Sequence, residues 1–145
     1  MSNRPSFPSI NIGDAPPPLV CGPLTRTQFV RYAGASHDFN PNHHDEVYAK
    51  ASGNKAVFGM GMLAGGYCAR LLTDWFGDGA LRGLRIRFAS RFWPGDVLTC
   101  SATVTGKREV AGEGLVDCEF SAVNQNGDVI IRGDATAVDG DGHRD

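Results

Sequence analysis

Between Met62 and Phe76 the residues Met62, Leu63, Tyr67, Leu71, Leu72, Trp75 and Phe76 recur at helical spacing, with the small Ala64, Gly65, Gly66 and Ala69 between them. A helix that is apolar nearly all round is a buried one, and small residues near its start let other backbone approach closely. Gly77, Gly79 and Gly83 end it. After them the period changes from helical to alternating. Leu84, Ile86 and Phe88 alternate with Arg85, Arg87 and Ala89, which predicts a half-buried strand. Pro94-Gly95-Asp96 is a turn, followed by a strand over 97–105 with Leu98, Cys100, Ala102 and Val104 on one side. A further strand over 115–123 carries Val116, Cys118, Phe120 and Ala122 on one face and Asp117, Glu119 and Ser121 on the other. Asn126-Gly127 is a hairpin signal before the last strand, 129–138.

The chain ahead of the apolar helix is more broken. Leu19 to Cys21 reads as a short strand. Thr25 suits the N-cap of a helix over 26–34, with Phe29, Val30, Tyr32 and Ala33 on its apolar side. A second short helix is expected over 44–51, with Val47, Tyr48 and Ala51 facing inward. Residues 1–18, rich in Pro, Ser, Asn and Gly, read as an extended arm, poorly ordered or laid against a partner subunit, and 139–145 as a polar frayed tail. The domain proper is then 19–138, of α+β class. A sheet with one apolar face needs a cover, so it wraps around the long helix. Its edges invite pairing with a second copy of the chain.

The 145 residues suit one domain with one core. A net charge of −2 gives no argument for nucleic acid or a membrane surface, and no apolar run reaches the ~18 residues of a spanning helix. Nothing at the N-terminus reads as a signal peptide. Four scattered cysteines, Cys21, Cys68, Cys100 and Cys118, form no C-x-x-C pair and read as free thiols of a reducing compartment, so cytoplasm is the expected location.

Chemistry concentrates in Ser36-His-Asp-Phe-Asn-Pro-Asn-His-His-Asp45. Asp38 and His43 lie five residues apart across an Asn-Pro turn, and Pro41 biases Asn40 away from helix. Neither strand alternation nor helical periodicity needs such a segment. The spacing by itself allows a water held between an acid/base pair, a cap, or a fragment of a metal site. His44 and Asp45 extend the cluster, but adjacent ligands rarely share one metal and no second ligand pair appears, so no metal is expected.

The stretch from Tyr32 to Asp45 resembles the hydratase signature of the MaoC-like dehydratases, the (R)-specific enoyl-CoA hydratase group. Gly61-Met62-Leu63 is similar to the start of that family's central helix. Arg87-Phe88, followed by Phe92-Trp93-Pro94-Gly95-Asp96-Val97-Leu98, resembles its strand-turn-strand. The resemblance covers about 19–138 and implies a hot-dog fold, an antiparallel sheet wrapped around a long helix, commonly as a dimer. It implies reversible hydration of enoyl thioesters to (R)-3-hydroxyacyl thioesters in acyl-CoA metabolism, with no cofactor beyond the coenzyme A or acyl carrier protein that carries the substrate. Asp38 becomes the base, His43 its partner, and Asn40 and Pro41 the turn that sets them. A glycine-flanked helix start presents free N–H groups and the positive end of the helix dipole. Gly61 and Met62 are therefore the expected donors to the thioester oxygen, with Gly66 and Tyr67 expected in the acyl pocket.

Three positions depart from the family pattern. Met60 stands where the family reads His, Gly66 where some members carry Ser, and His37 where Gly is common. The rival readings are a thioesterase on the same fold, and a subunit or acyl-thioester binding module of a hetero-oligomeric dehydratase that needs a homologous partner chain.

Overall fold

A computed structural model describes residues 4–138. The tail expected at 139–145 lies outside the described residues. Five strands form one antiparallel sheet in the order β1-β3-β4-β5-β2: β1 (Leu19–Cys21), β2 (Leu81–Phe88), β3 (Leu98–Val110), β4 (Glu113–Val123) and β5 (Val129–Val138). The long helix α3 (Gly61–Phe76) touches every strand. This is the hot-dog arrangement that the resemblance implies.

The core is where the two periods meet. Leu63, Ala64, Cys68, Leu71, Leu72 and Phe76 bury one side of α3. They pack against Leu98, Cys100, Ala102 and Val104 of β3, Val116, Cys118, Phe120 and Ala122 of β4, and Ile131, Ala135 and Ala137 of β5. Removing these side chains from water supplies the main driving force for the sheet to curl over the helix. Gly133 lets β5 lie close to β2: a Cβ there would run into the Arg85 carbonyl oxygen and the Phe120 ring. Gly65 plays the same part on α3, where a Cβ would stand 2.7 Å from Cδ1 of Ile86.

Several expectations need correction. Residues 4–18 are not loose, since part of the segment packs on the chain's own sheet. Ile10 is only 2% exposed, the Gly13 N–H donates to the Val104 carbonyl at 2.9 Å, and the Val104 N–H donates to the Asp14 carbonyl at 2.9 Å. Ile10 supplies apolar area that β3 alone leaves uncovered, which a composition-based reading of the arm misses. The helix before the site is α1 (Arg26–Ser36), and its reciprocal Thr25–Gln28 cap is complete. Val30, assigned to its apolar side, is 58% exposed. In α2 (Glu46–Ala51) the buried residue is Ala49, while Val47 and Tyr48 face outward. Six residues fixed by an Asp45 cap and by Arg26–Glu46 and Lys50–Glu46 ion pairs need no broad apolar face. β2 is less buried than its alternation suggests, with Leu84 and Phe88 exposed, because it is the outermost strand. The β4–β5 connection spans 124–128: Asn124 Oδ1 accepts from the N–H groups of Asn126 and Asp128, and Gly127 takes φ +84°. The tighter hairpin is β3–β4, with Ala111 and Gly112 both at positive φ.

Candidate active site

Helix α1 ends at His37, whose backbone is left-handed (φ 61°) and turns the chain out of the helix. Asp38 follows at once. Its N–H donates to Ser36 Oγ at 3.2 Å, and its Oδ1 accepts from the Asn40 N–H at 3.4 Å. Pro41 opens a single 3-10 turn, Pro41–His43, with Asn40 as its cap. Asn40 Oδ1 accepts from the Asn42 N–H at 3.0 Å and from its side-chain amide at 3.2 Å. Asn42 in turn ties the turn to the next segment: its Oδ1 accepts from Asn54 Nδ2, and its carbonyl accepts from the Phe58 N–H. Asn40 and Pro41 thus form the turn between Asp38 and His43.

The turn faces the two reactive groups toward each other. His43 Nε2 stands 3.5 Å from Asp38 Oδ2. The imidazole is buried, whereas the Asp38 side chain is 44% exposed and so is open to solvent. His43 Nδ1 lies 2.7 Å from the Phe58 carbonyl oxygen, which can only accept. The Nδ1 proton is thus fixed on that bond, and in the neutral ring Nε2 presents a lone pair on the Asp38 side. The Phe58 ring also meets the imidazole edge-on, centroids 5.0 Å apart. His44 turns elsewhere, its Nε2 3.3 Å from the Phe39 carbonyl.

Asp38 lines a cavity of about 580 Å³ together with Phe58, Gly59, Gly61, Met62 and the run Phe88–Phe92. Gly61 and Met62 are the first residues of α3, and the Met60 cap contributes no side-chain hydrogen bond. The Leu63 N–H is taken by the Met60 carbonyl, while the N–H groups of Gly61 and Met62 have no acceptor among the described residues. Two free donors at the positive end of a helix therefore border the same cavity as the carboxylate.

Gly66 and Tyr67 do not line this cavity. Gly66 is exposed with nothing near the place of a Cβ, and Tyr67 packs against the core on another side of α3. Burial, with the charges of Cys21 and Cys100 adding to it, raises the Tyr67 pKa. The apolar walls come instead from Phe58, Phe88 and Phe92. Phe58 and Arg91 were not picked out from the sequence, and Phe88 and Phe92 were noted only as parts of the strand and turn motifs, not as cavity walls; the signal available was their place beside the Gly61 and Pro94-Gly95-Asp96 motifs. Tyr32 sits near enough to Asp38 for its charge to matter: burial first, then that charge, raise the phenol pKa. Met60 is 1% exposed and part of the core, so the position where the family reads His carries no polar group here. Cys68 is fully buried, and its hydrogen bond with Cys100 raises its pKa, which leaves it an inert thiol.

A family model, the MaoC like domain, matches residues 11–126. The chain belongs to that family. Among its MaoC-like relatives is the beta subunit of the 3-oxo-4,17-pregnadiene-20-carboxyl-CoA hydratase of Mycobacterium tuberculosis, 32% identical over 105 residues, or 72% of this chain and 78% of the relative. The (R)-specific enoyl-CoA hydratase of Rhodospirillum rubrum is 30% identical over 117 residues, 79% of each chain. Among solved structures, the (R)-hydratase of A. caviae involved in PHA biosynthesis superposes with a TM-score of 0.80 at 25% identity, over 88% of this chain and 96% of the other. The hot-dog fold is thus shared with MaoC-like hydratases of known structure.

Proposed function

We propose that this MaoC-like chain adds water reversibly to enoyl thioesters, giving (R)-3-hydroxyacyl thioesters, with coenzyme A or an acyl carrier protein as the carrier. The observation that carries the reading is the 3.5 Å approach of the buried His43 to Asp38, which lines a cavity also lined by Gly61 and Met62, the two residues at the start of α3 whose N–H groups are free. A water within reach of both can give one hydrogen bond to Asp38 Oδ2 and one to His43 Nε2, leaving its lone pairs for the substrate. As its oxygen bonds to the β carbon, Asp38 takes the proton. The electron pair of the double bond moves toward the thioester carbonyl, whose oxygen is received by the N–H groups of Gly61 and Met62. The proton then goes to the α carbon, and no redox step is involved. Dehydration runs the same path backward.

The test is turnover of crotonyl-CoA and longer enoyl-CoAs, with chiral analysis of the product. The Asp38→Asn variant should lose on the order of 10²–10⁴ in kcat, the range of a positioned general base. Turnover of no chain length by the wild type, or an Asn variant as fast as the wild type, ends the proposal.

We further propose that the chain works as an oligomer joined along β2. That strand is eight residues long, lies at the edge of the sheet and exposes Leu84 and Phe88. An open edge of that length pairs readily with another strand. The partner is either a second copy or a homologous subunit. The second option is favoured by the apolar Met60 and by the relative that is itself a beta subunit. An active homodimer in native mass spectrometry excludes an obligatory homologous subunit. Buried free thiols fit a reducing compartment and support the cytoplasm as its place.

A further inference from the structure

Aromatic rings lead outward from the buried imidazole. Phe58 stands against His43, Trp93 meets Phe58 edge-on at 6.1 Å between centroids, and both rings are only partly buried. Each carries an exposed cation on its face. The Arg91 guanidinium carbon is 5.0 Å from the centre of Phe58, and Lys55 Nζ is 4.3 Å from the centre of Trp93. Neither cation has a carboxylate partner among the described residues, whereas Arg26, Arg70, Arg82, Arg85 and Arg108 are each held by one. Arg91 is also the one cation among the residues lining the Asp38 cavity.

We propose that Arg91 and Lys55 bind the phosphate of the carrier arm, fixing the thioester's depth in the cavity; the proposal rests on the hydratase reading above. An enoyl thioester is uncharged at its reacting end, and its charge sits on the phosphate beyond the pantetheine arm. That layout matches a path that begins at a buried acid/base pair and ends, past two rings, at two exposed and unpaired cations. Stacking on the rings limits where each side chain can go, so less freedom is lost when the anion arrives. A cation already held by a carboxylate would have to give that partner up, and these two do not. Charge-assisted bonds to a phosphate are among the stronger polar contacts, which makes the pair a determinant of substrate affinity rather than of the chemical step.

The phosphate has two sources, coenzyme A and the prosthetic arm of an acyl carrier protein, and the experiment separates them. Arg91→Gln, Lys55→Gln and the double variant are assayed on crotonyl-CoA, on crotonyl-pantetheine, which lacks phosphate, and on crotonyl-loaded acyl carrier protein. The ratio of kcat/KM on crotonyl-CoA to that on crotonyl-pantetheine should fall about tenfold in the double variant, through KM. Arg91→Lys should keep most of that ratio. An equal rise in KM on the carrier-protein thioester assigns the contact to the phosphate common to both carriers; a rise on crotonyl-CoA alone assigns it to coenzyme A. An unchanged ratio overturns the proposal, whether all substrates suffer alike or none does. Calorimetry with coenzyme A itself needs no turnover. If the wild type hydrates no thioester the hydratase reading falls. Calorimetry then still decides the anchor: about tenfold weaker binding by the double variant upholds it, and equal or absent binding refutes it.

Discussion

Replacing Gly61 by Ala separates catalysis from stability more cleanly than any change at Asp38. An alanine Cβ at this position would lie 2.5 Å from Cδ1 and 2.6 Å from Cε1 of Phe88. The ring must therefore retreat by about 1 Å to reach ordinary contact. Within the single chain it can do so, because Phe88 is 57% exposed on an edge strand and the atoms met are the far part of its side chain; the proposed seam runs along the same strand, so the unfolding curve also reports whether a partner holds the ring. An off-rotamer ring costs roughly 0.5–1.5 kcal/mol. Gly61 is not among the positive-φ glycines, so Ala fits the backbone and recovers about 0.4–1 kcal/mol by restricting the unfolded chain. The two nearly cancel, and urea unfolding should show a change within about 1 kcal/mol. The methyl group, however, occupies the space beside the two free N–H groups. If the thioester oxygen sits there, its stabilisation is lost, and kcat should drop by about 10²–10³, the cost of one oxyanion donor. Steady-state hydration of crotonyl-CoA, beside the unfolding curve, measures both. A variant within threefold of wild-type activity refutes the assignment of Gly61 and Met62. A loss of more than 3 kcal/mol in stability refutes the view that Phe88 is free to move.

Other substitutions test the frame. Gly133→Ala should cost more than about 3 kcal/mol, read as a large fall in Tm or as failure to fold, because the obstacle is the Arg85 main chain in the neighbouring strand rather than a movable side chain. Thr25→Ala removes the half of the α1 cap in which Thr25 Oγ1 accepts from the Gln28 N–H, keeps the residue-25 N–H to Gln28 Oε1 bond, and should lower stability by about 1 kcal/mol in urea unfolding, with unchanged stability as the contrary result. Burial pushes the Cys118 thiol up to about 12 from an ordinary value of 9.0. The folded state holds that proton more tightly than the unfolded one, so stability is full below the ordinary value and declines as pH rises from there to about 12. Cys118→Ala should be less stable near neutrality yet show a shallower alkaline decline than the wild type; parallel curves would refute this.

The local geometry of the candidate site was more legible than the packing. The Asp38–His43 spacing across an Asn-Pro turn gave their approach correctly, because the turn is closed by local hydrogen bonds of Asn40 and by Pro41 itself. The free start of α3 was readable for a similar reason: glycine and an apolar cap leave nothing nearby to satisfy its N–H groups. Burial of individual faces was harder. Val47 looks like a core residue in a period-based reading and is 80% exposed, since ion pairs and a cap hold α2 without it. Ile10 reads as part of a polar arm and is buried, because its contacts come from a strand some ninety residues later, and no local pattern encodes them. The cavity walls fall under the same limit. Phe58 from the α2–α3 connection, Phe88 from the end of β2 and Phe92 from the β2–β3 connection meet only in the folded chain, whereas Gly66 and Tyr67, close to Gly61 in sequence, turn to other sides of the helix.

The partner that orients His43 is a main-chain oxygen, that of Phe58. Every amino acid supplies the same carbonyl, so no single substitution at position 58 can delete the acceptor. Drift at that site can alter the ring that walls the cavity, and with it the substrates admitted, while leaving the imidazole's proton on the same nitrogen. The fold thus separates what is open to evolutionary change from what is not: specificity is written in a side chain, and the tautomer in the backbone.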